Sequence, residues 1–564
     1  MTPRVRDAAA HPARFRADIE GMRAIAVVFV LLYHAALGPF GGGYVGVDVF
    51  FVVSGFLITG VLLRDFGDGA RSLPGFWARR ARRLLPASVL VIMATIVAGR
   101  FVLDPLAQRS LARDAVAAGA FVVNIVFARR ASDYFTSQLA PSPLLHFWSL
   151  AVEEQFYLVW PLLLLAFRRL RRRRTAVLLT AIGALWVASF VASILVTKHH
   201  GPWAFYLLPT RAWELLSGAA VAIVGHRVAT GIPSACRAAL GWVGVGAVCS
   251  AALLLGERPD FPGWIALWPV AGTVAMVLGG MGATSHGPQR LLSSPPLVWI
   301  GRRSYGIYLW HWPALVLLAA AAGPLVAWQR CLVLCGSVVI AALTYRALEN
   351  PVRHSPWLAL RPRRGLILGA GLIAFALATA AVSIGIPQRL DSGRIAAPAA
   401  IVVPKTRTST AASPATTAPQ ITSPVTTSAP VPSSATPGFS PDPSTSPTVT
   451  ATTVSSPAED AIATVADIVA ANDVALAQSV LIHDVPANLR PTLSAAAADK
   501  PSIYRDGCML SDGQSTPEPC VYGDPAWATD VVLFGDSHAA QWFPALQQIA
   551  EAHHWRLEVL TKKG

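Results

Sequence analysis

Between residues 22 and 387 the chain alternates long apolar runs with short polar loops. Eleven such runs, at about 22–38, 45–64, 84–104, 147–167, 175–196, 209–225, 238–255, 263–281, 304–322, 326–345 and 365–387, are each long enough to cross a bilayer as an α-helix. No cleavable signal peptide is expected ahead of them, because the first run starts late and lacks a small-residue cleavage site. Residues 112–128 are only moderately apolar, and counting them as a span would flip every later loop. They are read instead as an interfacial or re-entrant helix within an outer-face loop, 105–145. The pattern predicts an all-α polytopic membrane bundle.

Polar positions inside these runs are few and patterned. Arg23 and His34 are eleven residues apart, almost three whole turns, so they share one helix face about 16 Å apart along the axis. An ionisable group that far into a span marks a functional site, unless it is a structural histidine bonded to a neighbouring helix. In the fourth run His146, Ser149, Glu153, Tyr157 and Trp160 recur at steps of three and four and form one polar stripe. Glutamate facing lipid is prohibitive, so the stripe is expected to face the bundle interior or a wet cavity. Asp48 and Thr59 add polarity to the second run, and Arg211 with Glu214 to the sixth. Ser304, Tyr308 and His311 share a face of the ninth. Arg211 and Glu214 read as an internal ion pair locking two helices or as part of a site. Together these groups exceed what packing needs, so the bundle is expected to enclose a polar site.

Composition sharpens the picture at two points. Of 564 residues, 54% are hydrophobic and 14% charged, which excludes an ordinary soluble protein. The net charge of +15 suggests nucleic acid, but its placement does not. Arg79, Arg80, Arg82 and Arg83, then Arg168, Arg169 and Arg171 to Arg174, then Arg302 and Arg303, then Arg361, Arg363 and Arg364 all follow even-numbered spans or keep their phase. That is the positive-inside pattern: N-terminus cytoplasmic, residues after about 387 extracytoplasmic, in a cell membrane. The excess charge is orientation, and no nucleic-acid partner is expected.

From residue 388 to 458 Ser, Thr, Pro and Ala dominate, as in an extended, disordered extracytoplasmic linker. Residues 459–564 regain globular composition. Cys236, Cys249, Cys331 and Cys335 are expected as small core residues, and Cys508 and Cys520, on the oxidising side, as a disulfide. No metal site is expected.

In the loop before the third span, Arg80 and Arg83 sit one turn apart. Guanidinium forks at that spacing suit bidentate phosphate recognition, though they also serve as anchors to lipid phosphates. Here a resemblance becomes specific. Asp18-Ile-Glu-Gly-Met-Arg-Ala-Ile-Ala-Val, Gly43-Tyr-Val-Gly-Val-Asp-Val-Phe-Phe-Val-Val-Ser-Gly-Phe-Leu-Ile-Thr, His146-Phe-Trp-Ser-Leu-Ala-Val-Glu-Glu-Gln-Phe-Tyr and Ser304-Tyr-Gly-Ile-Tyr-Leu-Trp-His-Trp-Pro occur in order. They resemble the membrane-bound acyltransferase-3 family, which includes O-antigen and peptidoglycan O-acetylases. The family's arginine-x10-histidine signature falls on Arg23 and His34, and its arginine-x-x-arginine signature on Arg80 and Arg83. Glu20 stands where the family more often has aspartate.

The resemblance implies about ten acyltransferase helices in residues 15–364, behind a cytoplasmic tail, 1–14, and followed by a linking helix, 365–387. It implies an acyl-CoA donor, acetyl-CoA in the first instance, as a substrate with no bound cofactor. A glycan hydroxyl would be the acceptor, and the bilayer the setting; oligomeric state is not implied. His34 would be the general base or relay, and Glu153, also in the catalytic set, would orient or tune the site with Tyr157 and His311. Arg23, Arg80 and Arg83 would hold the donor, supported by Tyr157, Ser304 and His311.

Asp530-Val-Val-Leu-Phe-Gly-Asp-Ser-His-Ala-Ala-Gln-Trp542 reads as a buried strand, a tight turn at Asp536 and a helix through about Ala552. It resembles the first block of SGNH hydrolases, in which Ser537 would be a nucleophile at a helix N-terminus. The later blocks, with their Asp-x-x-His motif, do not occur before Gly564, so the triad is expected to be incomplete and the start of an α/β domain, 459–564, unstable alone. The leading expectation is an integral-membrane O-acyltransferase acting on a cell-surface glycan. A transporter of acyl groups or glycan precursors, and a glycan-binding membrane scaffold, are the rival classes.

Overall fold

The computed structural model describes residues 15–67, 73–132, 140–170, 175–256, 258–282 and 286–385, then 469–470, 473, 491–496, 499–511, 514 and 520–562. The tail 1–14, the linker 388–458 and the side chains at 167–176, including the second arginine run, lie outside the described residues. The chain divides into two compact units, residues 1–388 and 389–564.

The first unit is a helical bundle. Its helices are α1 (Ala17–His34), α2 (Gly46–Gly67), α3 (Leu73–Val102), α4 (Pro105–Gly119), α5 (Val123–Ser132), α6 (Phe147–Leu170) and α7 (Thr175–His199). There follow α8 (Gly201–Tyr206), α9 (Leu208–Thr230), α10 (Ser234–Leu254), α11 (Leu267–Gly279), α12 (Pro295–Ala322), α13 (Ala327–Thr344) and α14 (Pro362–Gly385). A helix lies on each of the eleven expected runs. Nine helices among the described residues are long and apolar enough to cross a membrane. The two exceptions have visible causes. α1 carries Asp18, Glu20 and Arg23 near its start, and α11 has only 13 residues, about 20 Å of rise. The ambiguous stretch breaks at Phe121, in the left-handed region at φ 55°, into α4 and α5, of 15 and 10 residues, and neither is long enough to span.

Close approach of backbones sets the frame of the site. A Cβ at Gly55 on α2 would meet the carbonyl of Leu215 on α9, and one at Gly218 on α9 would meet the carbonyl of Val52. Likewise a Cβ at Gly301 on α12 would collide with the backbone of Glu20 on α1. Small residues at crossings let membrane helices gain the van der Waals contact that hydrophobicity cannot supply in lipid. As a result α2 lies between α1 and α9, and α1 lies along α12. α14 packs on α3 and α4 rather than standing apart.

The intramembrane cysteines correct an expectation. Cys236, Cys331 and Cys335 are exposed on the outside of the bundle and Cys249 is half-buried. A lipid-facing surface is as apolar as a core, so a small apolar side chain is accepted on either side of the helix.

In the second unit β3 (Thr529–Gly535) and β4 (Trp555–Lys562) pair in parallel, joined by the helix α15 (Ser537–His553). Two short strands, β1 (Met509–Leu510) and β2 (Val521–Tyr522), pair with β4, and Cys508 is disulfide-bonded to Cys520 beside them. β3 is not the buried strand its sequence predicts. Val531 and Leu533 pack into the small core, but Phe534 is 81% exposed and Val532 51%, because among the described residues α15 covers one face alone.

Candidate active site

Two cavities within the bundle hold residues singled out by the sequence. The first, about 70 Å³, is lined by Arg23 from α1, Arg80 and Arg83 from α3, Glu153 and Tyr157 from α6, and Ser304 from α12. Helix periodicity explains the convergence: Arg80 and Arg83 are one turn apart, as are Glu153 and Tyr157. Neighbouring arginines divide by role. Arg79 pairs with Asp65, whereas neither Arg80 nor Arg83 forms an ion pair among the described residues. Arg80 instead lies over the rings of Phe76 and Tyr157, at 5.7 and 5.5 Å. Arg23 donates to Glu20 at 2.9 Å.

Glu153 is held from both sides. Ser54 on α2 donates to one carboxylate oxygen at 2.8 Å, and the Tyr157 hydroxyl to the other at 2.9 Å. A carboxylate bridged in this way fixes α2 against α6 and orients the tyrosine on which Arg80 stacks. Ser304 is fully buried, its hydroxyl without a hydrogen-bond partner among the described residues.

The second cavity, about 350 Å³, is lined by His34 at the end of α1, Asp48, His146, Arg211 and Trp312 among others. Val47 and Tyr308 line both cavities, so the two spaces meet at those side chains. Tyr308 is fixed there by Ser149, 2.8 Å away, and by donation to the His146 carbonyl at 3.0 Å.

Hydrogen bonding decides which nitrogen of His34 keeps a free lone pair. His311 Nδ1 lies 2.6 Å from the Tyr308 carbonyl, which can only accept, so His311 carries its proton on Nδ1. Its Nε2 therefore holds a lone pair and accepts from His34 Nδ1 at 2.8 Å. That leaves His34 with its own lone pair on Nε2. The rings of His34 and His311 stack with centroids 5.1 Å apart, and Trp312 packs on His34 at 4.6 Å. A neutral imidazole with its remote nitrogen fixed by a neighbour is the arrangement of a general base.

Comparison with known proteins agrees with this architecture. The family described as an acyltransferase domain matches residues 16–346, more than half of the chain. The chain belongs to the acyltransferase-3 family. A second description, an SGNH domain fused to such acyltransferase domains, matches residues 506–564. Peptidoglycan O-acetyltransferase OatA of Listeria monocytogenes is 34% identical over 348 residues, covering 60% of this chain and 56% of the relative. Putative peptidoglycan O-acetyltransferase YrhL of Bacillus subtilis is 34% identical over 351 residues, covering 60% and 55%. O-acetyltransferase OatA of Staphylococcus aureus is 29% identical over 349 residues, covering 60% and 57%. The chain thus spans a little over half the length of these curated relatives. No solved structure matches it.

Within the acyltransferase-3 unit the predicted residues fall into two groups: Arg23, Arg80, Arg83, Glu153, Tyr157 and Ser304 around one cavity, and His34 at the other with His311 hydrogen-bonded to it. Glu153 lines the arginine cavity and not the space that holds His34, and both its oxygens are engaged. Asp48, Arg211 and Glu214 form the buried ion-pair cluster joining α2 to α9, with Arg211 3.0 Å from Asp48 and 2.9 Å from Glu214. Sequence reasoning missed Ser54 and Tyr305. Tyr305 donates to the Leu84 carbonyl at 2.9 Å and meets Ser88 at 2.7 Å, tying α12 to α3. Both sit inside quoted motifs, but a lone serine or tyrosine carries no periodic signal.

In the SGNH unit Asp536 caps α15, accepting from the backbone N–H of His538 at 2.8 Å, and that bond holds its carboxyl below the usual range. Ser537 opens the helix and is nearly buried. His538 turns back to Asp536 at 3.2 Å, and no histidine or carboxylate is hydrogen-bonded to Ser537 among the described residues.

Proposed function

We propose that this protein is an integral-membrane O-acetyltransferase that moves an acetyl group from cytoplasmic acetyl-CoA to a hydroxyl of an extracytoplasmic glycan, peptidoglycan in the first instance. The observation that carries the reading is the meeting of two cavities at Val47 and Tyr308, with unpaired arginines in one and an oriented imidazole in the other. Peptidoglycan is favoured because two of the three similar proteins named above carry peptidoglycan O-acetyltransferase in their names. The arginine-rich loops favour an inner-face position for the arginine cavity and an outer-face position for His34.

In this mechanism Arg80 and Arg83 grip donor phosphates, each through charge-assisted hydrogen bonds that water would otherwise make. Arg23, balanced by Glu20, lines the path. Glu153 and Tyr157 hold Arg80 in place. The thioester reaches the junction of the cavities, where the acceptor hydroxyl approaches His34 Nε2. As that nitrogen takes the hydroxyl proton, the oxygen attacks the thioester carbonyl. The C–S bond then breaks, the imidazolium returns the proton to the departing thiolate, and an ester and free CoA result. His311 keeps His34 in the required tautomer throughout and supplies no proton of its own.

The experiment is incubation of the purified full chain, in lipid nanodiscs, with acetyl-labelled acetyl-CoA and peptidoglycan fragments. The proposal expects stoichiometric free CoA and labelled glycan. Absence of CoA release with transit of label across a sealed vesicle would assign the chain to transport instead.

A further inference from the structure

The outer cavity has an aromatic wall. Tyr33 meets Tyr44 edge-on at 5.4 Å between centroids, and Tyr44 meets Phe261 at 4.7 Å. Phe205 lies 6.3 Å from Phe261 and 4.7 Å from Trp148, continuing the belt. Beside this belt, among the described residues, the Tyr44 hydroxyl, His146 Nδ1 and Arg211 Nη1 are buried without a hydrogen-bond partner, in addition to Asp48 Oδ2 and Arg211 Nε, which lie within the Asp48–Arg211–Glu214 ion-pair cluster. Tyr44, His146 and Arg211 line the same 350 Å³ space.

Each atom's character is fixed by its neighbours. His146 Nε2 donates to the Leu309 carbonyl at 3.1 Å, so Nδ1 presents a lone pair. Arg211 is immobilised by Asp48 and Glu214 and ringed by Phe51, Phe205 and Phe261 at 5.4 to 5.7 Å, which leaves Nη1 as an unused donor. The tyrosine hydroxyl can donate or accept. Buried polar groups are rarely left unpaired, so three around one cavity imply a ligand that completes them.

The mixture selects the ligand. A hydrocarbon chain would leave all three atoms unmet, and an anion would satisfy the arginine but oppose the His146 lone pair. A pyranose ring has hydroxyls that donate and accept, and C–H faces that lie flat on aromatic rings. The volume is that of a small-ligand pocket. We propose that this cavity is the acceptor subsite and holds one pyranose ring, hydrogen-bonded by Tyr44, His146 and Arg211 and stacked on the aromatic belt. A hydroxyl of that ring then reaches His34, on the same wall. The inference rests on the acyl-transfer reading above and adds the residues that hold and select the acceptor sugar.

The test uses the full chain in nanodiscs with a β-1,4-linked N-acetylglucosamine tetrasaccharide as probe and decanol as an aliphatic hydroxyl of unrelated shape. Binding is read from tryptophan fluorescence, since Trp148 and Trp312 line the cavity. The tetrasaccharide is expected to bind saturably without competition from decanol. Tyr44→Phe, which removes one hydroxyl, should weaken it about five- to tenfold. Phe261→Leu should weaken it by a similar factor and keeps an apolar wall, so it serves if the first variant does not fold. No saturable binding, displacement by decanol, or unaltered affinity in a folded variant overturns the subsite. Acetyl-CoA turnover by the wild-type chain is measured alongside. Turnover without sugar binding rejects this inference alone, and absence of turnover rejects the acyl-transfer reading.

Discussion

At the residue scale, the account depends on two arginines, Arg80 and Arg83, that form no ion pair among the described residues. Arg79 and Arg80 are adjacent in sequence, yet Arg79 is neutralised by Asp65 and Arg80 points into the cavity. Arg80→Ala and Arg83→Ala should each raise the KM for acetyl-CoA, by about 10- to 100-fold, for the loss of a charge-assisted phosphate contact of about 1.5–3 kcal/mol. Steady-state kinetics against donor concentration measures this, and an unchanged KM in both variants would make the pair membrane anchors. The polar stripe His146–Ser149–Glu153–Tyr157–Trp160 was legible because periodicity and the cost of polarity in lipid point the same way. The stripe does face inward, with Trp160 donating to Thr59 at 2.9 Å. What periodicity does not tell is which end of a stripe reaches which cavity, since that depends on where helices cross. Ser54 escaped notice for that reason, although it bonds Glu153 directly.

At the element scale, the helices were legible from apolar length, and their packing was not. The contact of α2 with α9 is made by Gly55 and Gly218, and a glycine in an apolar run looks the same on either face. The outward-facing cysteines carry the same lesson, because hydropathy does not separate core from lipid in a membrane bundle. Gly218→Leu should push α9 off Val52 and, with it, Arg211 off Asp48. The expected outcome is a fall in melting temperature of the detergent-solubilised protein, with a cost of several kcal/mol from overpacking and a strained ion pair. Gly336→Leu on α13, where a side chain meets open space, should leave the melting temperature within a degree or two, to order of magnitude. Equal effects of the two would mean that the α2–α9 crossing does not frame the site.

At the scale of the whole molecule, orientation follows from the phase of the arginine loops. A reporter fused after Arg174 should read cytoplasmic and one near Pro430 extracytoplasmic; an outside reading at Arg174 would mean that 112–128 cross the membrane after all. The SGNH unit gives a further prediction. Ser537 sits at a helix N-terminus suited to an oxyanion but lacks a base among the described residues, and a serine hydroxyl is a weak nucleophile without one. In this 564-residue chain Ser537→Ala should therefore change acyl transfer far less than loss of His34 does. Equal losses would mean that a base from outside the described residues reaches Ser537. The central claim is that His34 Nε2 takes the acceptor proton. It is tested most directly by comparing wild type and His34→Ala in nanodiscs for labelled acetyl transfer from acetyl-CoA to peptidoglycan fragments. The account predicts transfer abolished, to about 10²- to 10⁴-fold below wild type, with donor binding and membrane insertion retained. Transfer at the wild-type rate in that variant would contradict it and return His34 to a packing role.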